Sequence, residues 1–189
     1  MSREQRQNEF SELHEKAEYF LEQNDLNPTP FPHSYRVIRL WQYPPLGDYV
    51  AWKVFKNLDN THQIVVRQVR WLRLEDYQHF RDQTVGMEKD WHTDPTLVIR
   101  DQLLESQAFT TRMDTASKIR IPVLRPDTTD RGINIPRTTF GISYPNGGVR
   151  LTWRGDYPEE WSELIRWAAE MRTYLAQQFV ESPDIPDET

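Results

Sequence analysis

Residues 138–154, TTFGISYPNGGVRLTWR, decide the fold. Thr138–Tyr144 and Val149–Arg154 are β-prone arms, and the Pro145, Asn146, Gly147 and Gly148 between them tolerate the positive φ of a tight hairpin turn. In the second arm Val149, Leu151 and Trp153 share one side, and Arg150, Thr152 and Arg154 share the other. An arm that is apolar on one side and basic on the other lies in an antiparallel sheet with one face packed. The chain therefore contains at least one half-buried antiparallel unit, and its charged side is positive.

Upstream the same chemistry recurs. Ser34–Tyr43, Tyr49–Lys56 and His62–Leu74 are rich in Val, Ile, Tyr and Trp, and turn residues at 44–48 and 57–60 separate them. Links this short join antiparallel neighbours, because a parallel pair needs a crossover of a dozen or more residues. Val50, Trp52 and Val54 alternate cleanly with Ala51, Lys53 and Phe55. A further half-buried strand is expected over Ala116–Leu124, with Pro122 placing it at an edge.

Helices flank these strands. Over residues 3–23, Phe10, Leu13, Ala17, Phe20 and Leu21 recur at three- and four-residue steps. After the hairpin, Pro158, Glu159 and Glu160 open a helix whose apolar stripe is Trp161, Leu164, Ile165, Ala168, Met171, Leu175 and Phe179. Glu75–Gln83 reads as a short helix. Asp94 and Pro95 supply a cap and a first-turn proline for a helix over Thr96–Gln107, although Leu97, Val98 and Ile99 equally suit a strand. The expected fold class is α+β: an antiparallel sheet of about five strands, with the N- and C-terminal amphipathic helices packed on one face. Residues 1–189 suit one domain, with 181–189 a frayed acidic tail.

Charge is sorted by segment. Phe31–Leu74 carries seven Lys/Arg against two Asp/Glu, and Thr115–Arg154 again seven against two, within a chain of net charge −6. The strands are basic and the helices acidic. If helices cover one face of the sheet, the other is basic and aromatic, suited to an anionic group by charge-assisted hydrogen bonds and stacking. The candidate ligand- or partner-binding residues are Arg36, Arg39, Lys53, Arg67, Arg70, Trp71, Arg150 and Arg154, within a wider basic set that includes Lys56 and Arg73. Acidic helices and cross-strand neighbours offer the same side chains partners inside the molecule.

Other chemistry finds less support. The chain has seven glycines, no G-x-G-x-x-G and no glycine-lysine phosphate loop. Around Ser143 a proline replaces the second glycine of a nucleophile elbow, and a hairpin follows instead of a helix. Asp90, His92 and Asp94 form the compact donor cluster, and an extended backbone would bring the three to one side. Asp94 as a helix cap is the competing reading. No metal or other cofactor is expected.

The chain has no cysteine, a polar first ten residues and no apolar run long enough to span a bilayer. A soluble cytoplasmic protein is expected, and net acidity disfavours nucleic acid. The rhythm of Tyr144–Leu175, with G-x-x-P-x-x-W-x-x-L-x-x-W opening the last helix, resembles C-terminal stretches of small bacterial proteins and carries no residue roles with it. The expected function is non-catalytic: a binding or accessory protein that holds an anionic ligand or a protein partner on the basic sheet face. One alternative is a metal-assisted hydrolase or nuclease using carboxylates and His92. Another is a structural homo-oligomer, a homodimer in its simplest form.

Overall fold

The computed structural model describes residues 3–23, 29–44, 47–83, 94–120, 137–144, 147–154 and 159–179. Helix α1 spans Arg3–Glu22. Strands β1 (Ser34–Tyr43), β2 (Tyr49–Asn57) and β3 (Ile64–Trp71) follow, then α2 (Arg73–Gln83), β4 (Leu97–Leu104) and α3 (Ser106–Ala116). Strands β5 (Arg137–Tyr144) and β6 (Gly147–Arg154) and helix α4 (Ser162–Gln177) complete the described chain. The strands form one six-stranded sheet in the order β4-β3-β2-β1-β5-β6, and every neighbouring pair is antiparallel.

The α+β class and the antiparallel sheet stand as expected, with six strands. The sixth is β4, whose residues 97–104 are strand throughout, with the helix beginning only at Ser106. Every residue from Ile64 to Trp71 on β3 has a direct partner on β4. Those β-prone apolar residues gain a long ladder by extending the sheet, and that outweighs the helix-start signal at Asp94 and Pro95. The strand expected from Ala116 is not there: Ala116 ends α3, and residues 117–120 are turn and irregular chain. Residues 121–124 lie outside the described ones.

The terminal helices do not share a face, which corrects the one-sided arrangement. Trp167, Ala168, Met171 and Leu175 of α4, with Phe109 of α3, pack on Ile38, Leu40, Trp52, Val54 and Val66. Leu13, Ala17 and Leu21 of α1 pack on Trp41, Tyr43, Ala51, Val69 and Trp71. These two sets of strand residues alternate along β1, β2 and β3, so α1 and α4 cover opposite faces. The physical reason lies in the strands. Both of their faces carry apolar rows, and a second helix on the α4 side would leave Trp41 and Trp71 in water at a cost of about 2–3 kcal/mol each.

Local chemistry fixes the joints. Gly47 takes φ 100° in the β1–β2 connection, a conformation that glycine adopts without a Cβ clash. At the start of β4, the buried Asp76 carboxylate accepts from Trp71 Nε1 at 2.6 Å, from Thr96 N at 2.9 Å and from Thr96 Oγ1 at 2.6 Å. One side chain therefore ties α2, β3 and β4 together. Trp167 Nε1 donates to the Arg112 carbonyl at 3.0 Å and joins α4 to α3. Among the described residues no helix is long and apolar enough to cross a membrane.

Candidate anion-binding surface

The basic residues of the sheet fall into a row. Arg39 on β1 lies directly opposite Lys53 on β2, Lys53 opposite Arg67 on β3, and Arg67 opposite Asp101 on β4. All four lie on the face that α1 covers, and Arg39, Lys53 and Arg67 are buried, Lys53 at 0 % exposure. The C-terminal end of α1 sits over this row. Its last carbonyls have no partner within the helix, and the helix dipole makes that end negative. Lys53 Nζ donates to the Phe20 carbonyl at 2.7 Å, and Arg39 Nη2 to the Gln23 carbonyl at 3.1 Å. Arg67 grips Asp101 with two hydrogen bonds of 2.7 Å. The central cations thus hold a helix end and an edge carboxylate in place.

Other members of the expected set separate from this row. Arg36 lies opposite Phe55 on the same face. Arg70 projects from the other face, 3.8 Å from Asp48. Trp71 is fully buried, and its N–H is taken by Asp76. Arg154 pairs through its backbone with Arg137, and its side chain lies outside the described residues. Asp90 and His92 also lie outside them, and Asp94 is exposed, 3.4 Å from Lys16. Ser143 is opposite Arg39 on β1.

At one end of the α1 face basic and aromatic side chains form a half-buried cluster, with Tyr43 buried and Arg150 exposed. Tyr43, last in β1, and Tyr49, first in β2, stack at 4.4 Å with 19° between their rings. Arg150 lies over the Tyr43 ring at 5.9 Å, and Arg73 over the Tyr49 ring at 5.1 Å. Two cations and two rings make one cluster. His14 of α1 closes it from above, with Nε2 3.2 Å from the Tyr49 hydroxyl and its ring edge-on to Trp71 at 5.1 Å.

The two arginines differ in their partners. Arg150 is paired to Glu22 at 3.0 Å and to Glu18 at 3.5 Å, and Glu22 also accepts from the Tyr43 hydroxyl at 2.8 Å. Arg73 Nε is buried with no hydrogen-bond partner, and among the described residues no carboxylate meets its guanidinium. Burial pushes the His14 pKa down; Glu18 opposes that shift and Arg73 adds to it. Burial pushes Tyr49 up, and Arg73 opposes. Burial also raises Glu22, against the pull of Tyr43 and Arg150. Arg73 therefore imposes positive potential on a ring, an imidazole and the space beside them.

Tyr49 and His14 carry no signal in the sequence that marks them for this place. They meet Arg73 because α2 begins two residues after Trp71, which sits opposite Tyr49 in the ladder. On the other face a pocket of about 470 Å³ is lined by Gln42, Asp48, Val50, Trp52, Arg172 and Ala176, with Arg172 donating to Gln42. Among the described residues no group of three or more His, Asp or Glu is placed to hold a metal ion. Comparison with family models, with curated proteins and with solved structures found no match.

Proposed function

We propose that this protein is a non-catalytic binding protein that holds an anionic group, free or on an acidic protein segment, at the cluster of Arg73, Tyr49, Tyr43 and Arg150. The observation that carries the reading is Arg73: a cation stacked on an aromatic ring, with its Nε out of water and unpartnered. Leaving a buried donor without an acceptor costs about 1–3 kcal/mol, and a carboxylate or phosphate oxygen at that position recovers it. Arg150 supports the same reading from the far side of the stack, where Glu18 and Glu22 already occupy it as acidic groups do. On this reading the buried cations Arg39, Lys53 and Arg67 seat α1 and leave ligand contact to the cluster at the rim.

The test uses a fluorescent hexaglutamate peptide and inorganic phosphate as probes, followed by anisotropy and calorimetry, on the wild-type chain and on Arg73→Gln. Loss of one charge-assisted hydrogen bond is worth about 1.5–3 kcal/mol, so affinity in Arg73→Gln falls tenfold or more. The variant should melt as the wild type does, because Arg73 makes no ion pair within the described residues. Equal affinity in the two proteins, or no binding by either, would sink the proposal.

A further inference from the structure

His14 stands over the rim cluster on α1, half-buried, between a hydroxyl and a carboxylate. Its Nε2 is 3.2 Å from the Tyr49 hydroxyl, and its Nδ1 is 3.6 Å from Glu18 Oε1. The other Glu18 oxygen, Oε2, lies 3.5 Å from Arg150, which covers Tyr43 at the far end of the ring stack. At the near end Arg73 covers Tyr49. An imidazole, a carboxylate, two phenol rings and two guanidinium groups are thus joined contact by contact.

The protonation state of the imidazole decides what Tyr49 does with its own proton. A neutral histidine has one N–H and one acceptor nitrogen. With its proton on Nδ1, toward Glu18, Nε2 accepts from the Tyr49 hydroxyl, and that proton is consumed inside the protein. An imidazolium donates from both nitrogens. Nε2–H then donates to the Tyr49 oxygen, and the hydroxyl proton must turn to another acceptor. Burial pushes Tyr49 up, so it remains a proton-bearing hydroxyl. An anion against Arg73 is such an acceptor, and it also offsets the positive charge that disfavours a proton on His14.

We propose that the Arg73–Tyr49 site takes up its anion together with a proton on His14, so that acidification tightens binding. The inference rests on the anion-binding reading above and adds His14 to that site as a cation present only when protonated. The groups around the ring fix the sign. Glu15 and Glu18 of α1 favour the imidazolium, and Arg73 of α2 opposes it. Arg150 of β6 draws on the same Glu18, while Tyr49 of β2 and Trp71 of β3 bring no charge at neutral pH. In the free protein burial and Arg73 hold the ring neutral to below its ordinary 6.5. With an anion offsetting Arg73, the ring gains its proton at a higher pH. By reciprocity, affinity rises as pH falls between those two values.

Sulfate is the first probe, because its charge stays constant over the range in which His14 titrates. The labelled hexaglutamate peptide is the second. From about pH 7.5 to about pH 5.5, the affinity of the wild type should rise at least about fivefold more than that of His14→Gln, as read by calorimetry and anisotropy. The glutamine side chain can still bond Tyr49 but takes no proton. A second measurement needs only the wild type: the His14 ring should titrate at higher pH with sulfate than without, followed by proton NMR on the five histidines. The inference is overturned if His14→Gln loses affinity equally at every pH, which would make the ring a seat for α1. It is also overturned if His14→Gln keeps the wild-type pH profile or sulfate leaves the His14 titration in place. In each of those cases, binding that Arg73→Gln abolishes would still uphold the anion site. No binding of either probe by the wild type at any pH would remove the site and this inference together.

Discussion

A methyl group added at Gly141 has nowhere to go. A Cβ built there falls inside the Trp41 indole, which lies across the β5 backbone directly opposite it in the ladder. The glycine is thus set by close approach of a ring, and Trp41 is buried by that approach. Gly141→Ala should destabilise the protein by about 2 kcal/mol, the cost of forcing an overpacked site to shift. In a Trp41→Leu background the same change should cost less than half as much, as read by urea denaturation of the four proteins in the cycle. Additive effects of the two changes would show that the ring does not set the cost. At this scale the sequence is partly legible. Alternation along β2 foretells that Lys53 lies on the face opposite Trp52, but not that the lysine has no exposure at all. Burial depends on where α1 ends, and the unpartnered carbonyls of a helix end leave no mark in residue identity.

Helix α1 is held on the sheet by a short apolar seam of Leu13, Ala17 and Leu21, and by polar contacts along its C-terminal half. His14 sits within the docked surface, facing Tyr49 and Trp71 from the sheet, Arg73 from α2, and Glu15 and Glu18 from its own helix. Its pKa is lowered from 6.5 on folding, so the unfolded chain binds the proton more tightly. The stability it contributes is complete above about pH 6.5 and is lost as pH falls below that value. Glu22 is raised from its ordinary 4.5, which gives the opposite sign, a gain on acidification, in a lower window. From about pH 7.5 to about 5.5 the melting temperature of the wild type should therefore fall more steeply than that of His14→Gln. Parallel pH profiles would show that His14 does not carry the effect. Elements were legible where their signals are local: the turns at 44–48 and 57–60 and the arms of the last hairpin announce themselves. Strand β4 was not, because LVIRDQLL satisfies both periods and its ladder partner lies some thirty residues earlier in β3.

Across the whole molecule one sheet divides two apolar layers, and the sequence does not assign a helix to each. The strands carry the ambiguity, since Trp41 and Trp71 on one face are as apolar as Trp52 and Val54 on the other. The candidate cluster shares this limit. Its arginines were visible as charges, but their meeting with Tyr49 and His14 needed the β2–β3 register and the placing of α1. The topology also bears on rate. Strand β1 pairs with β5 across the whole middle of the chain, Arg39 with Ser143, so the final hairpin joins the meander only by closing a very long loop. Folding should take milliseconds to seconds, as sheets built from distant pairings do. Stopped-flow refolding followed by tryptophan emission reads this directly, and microsecond folding would contradict it.

The cations that run through β1, β2 and β3 have a further consequence, for misfolding. Were any one of these strands to slide by a single position, its buried arginine or lysine would turn into the apolar layer of Ile38, Leu40, Trp52 and Met171 and leave the helix end or carboxylate that now holds it. An uncompensated charge there costs several kcal/mol. Apolar rows on both faces would otherwise make slipped sheets nearly as good as the native one. The buried charges act as a proofreading device, tolerating one alignment of the meander and penalising its neighbours.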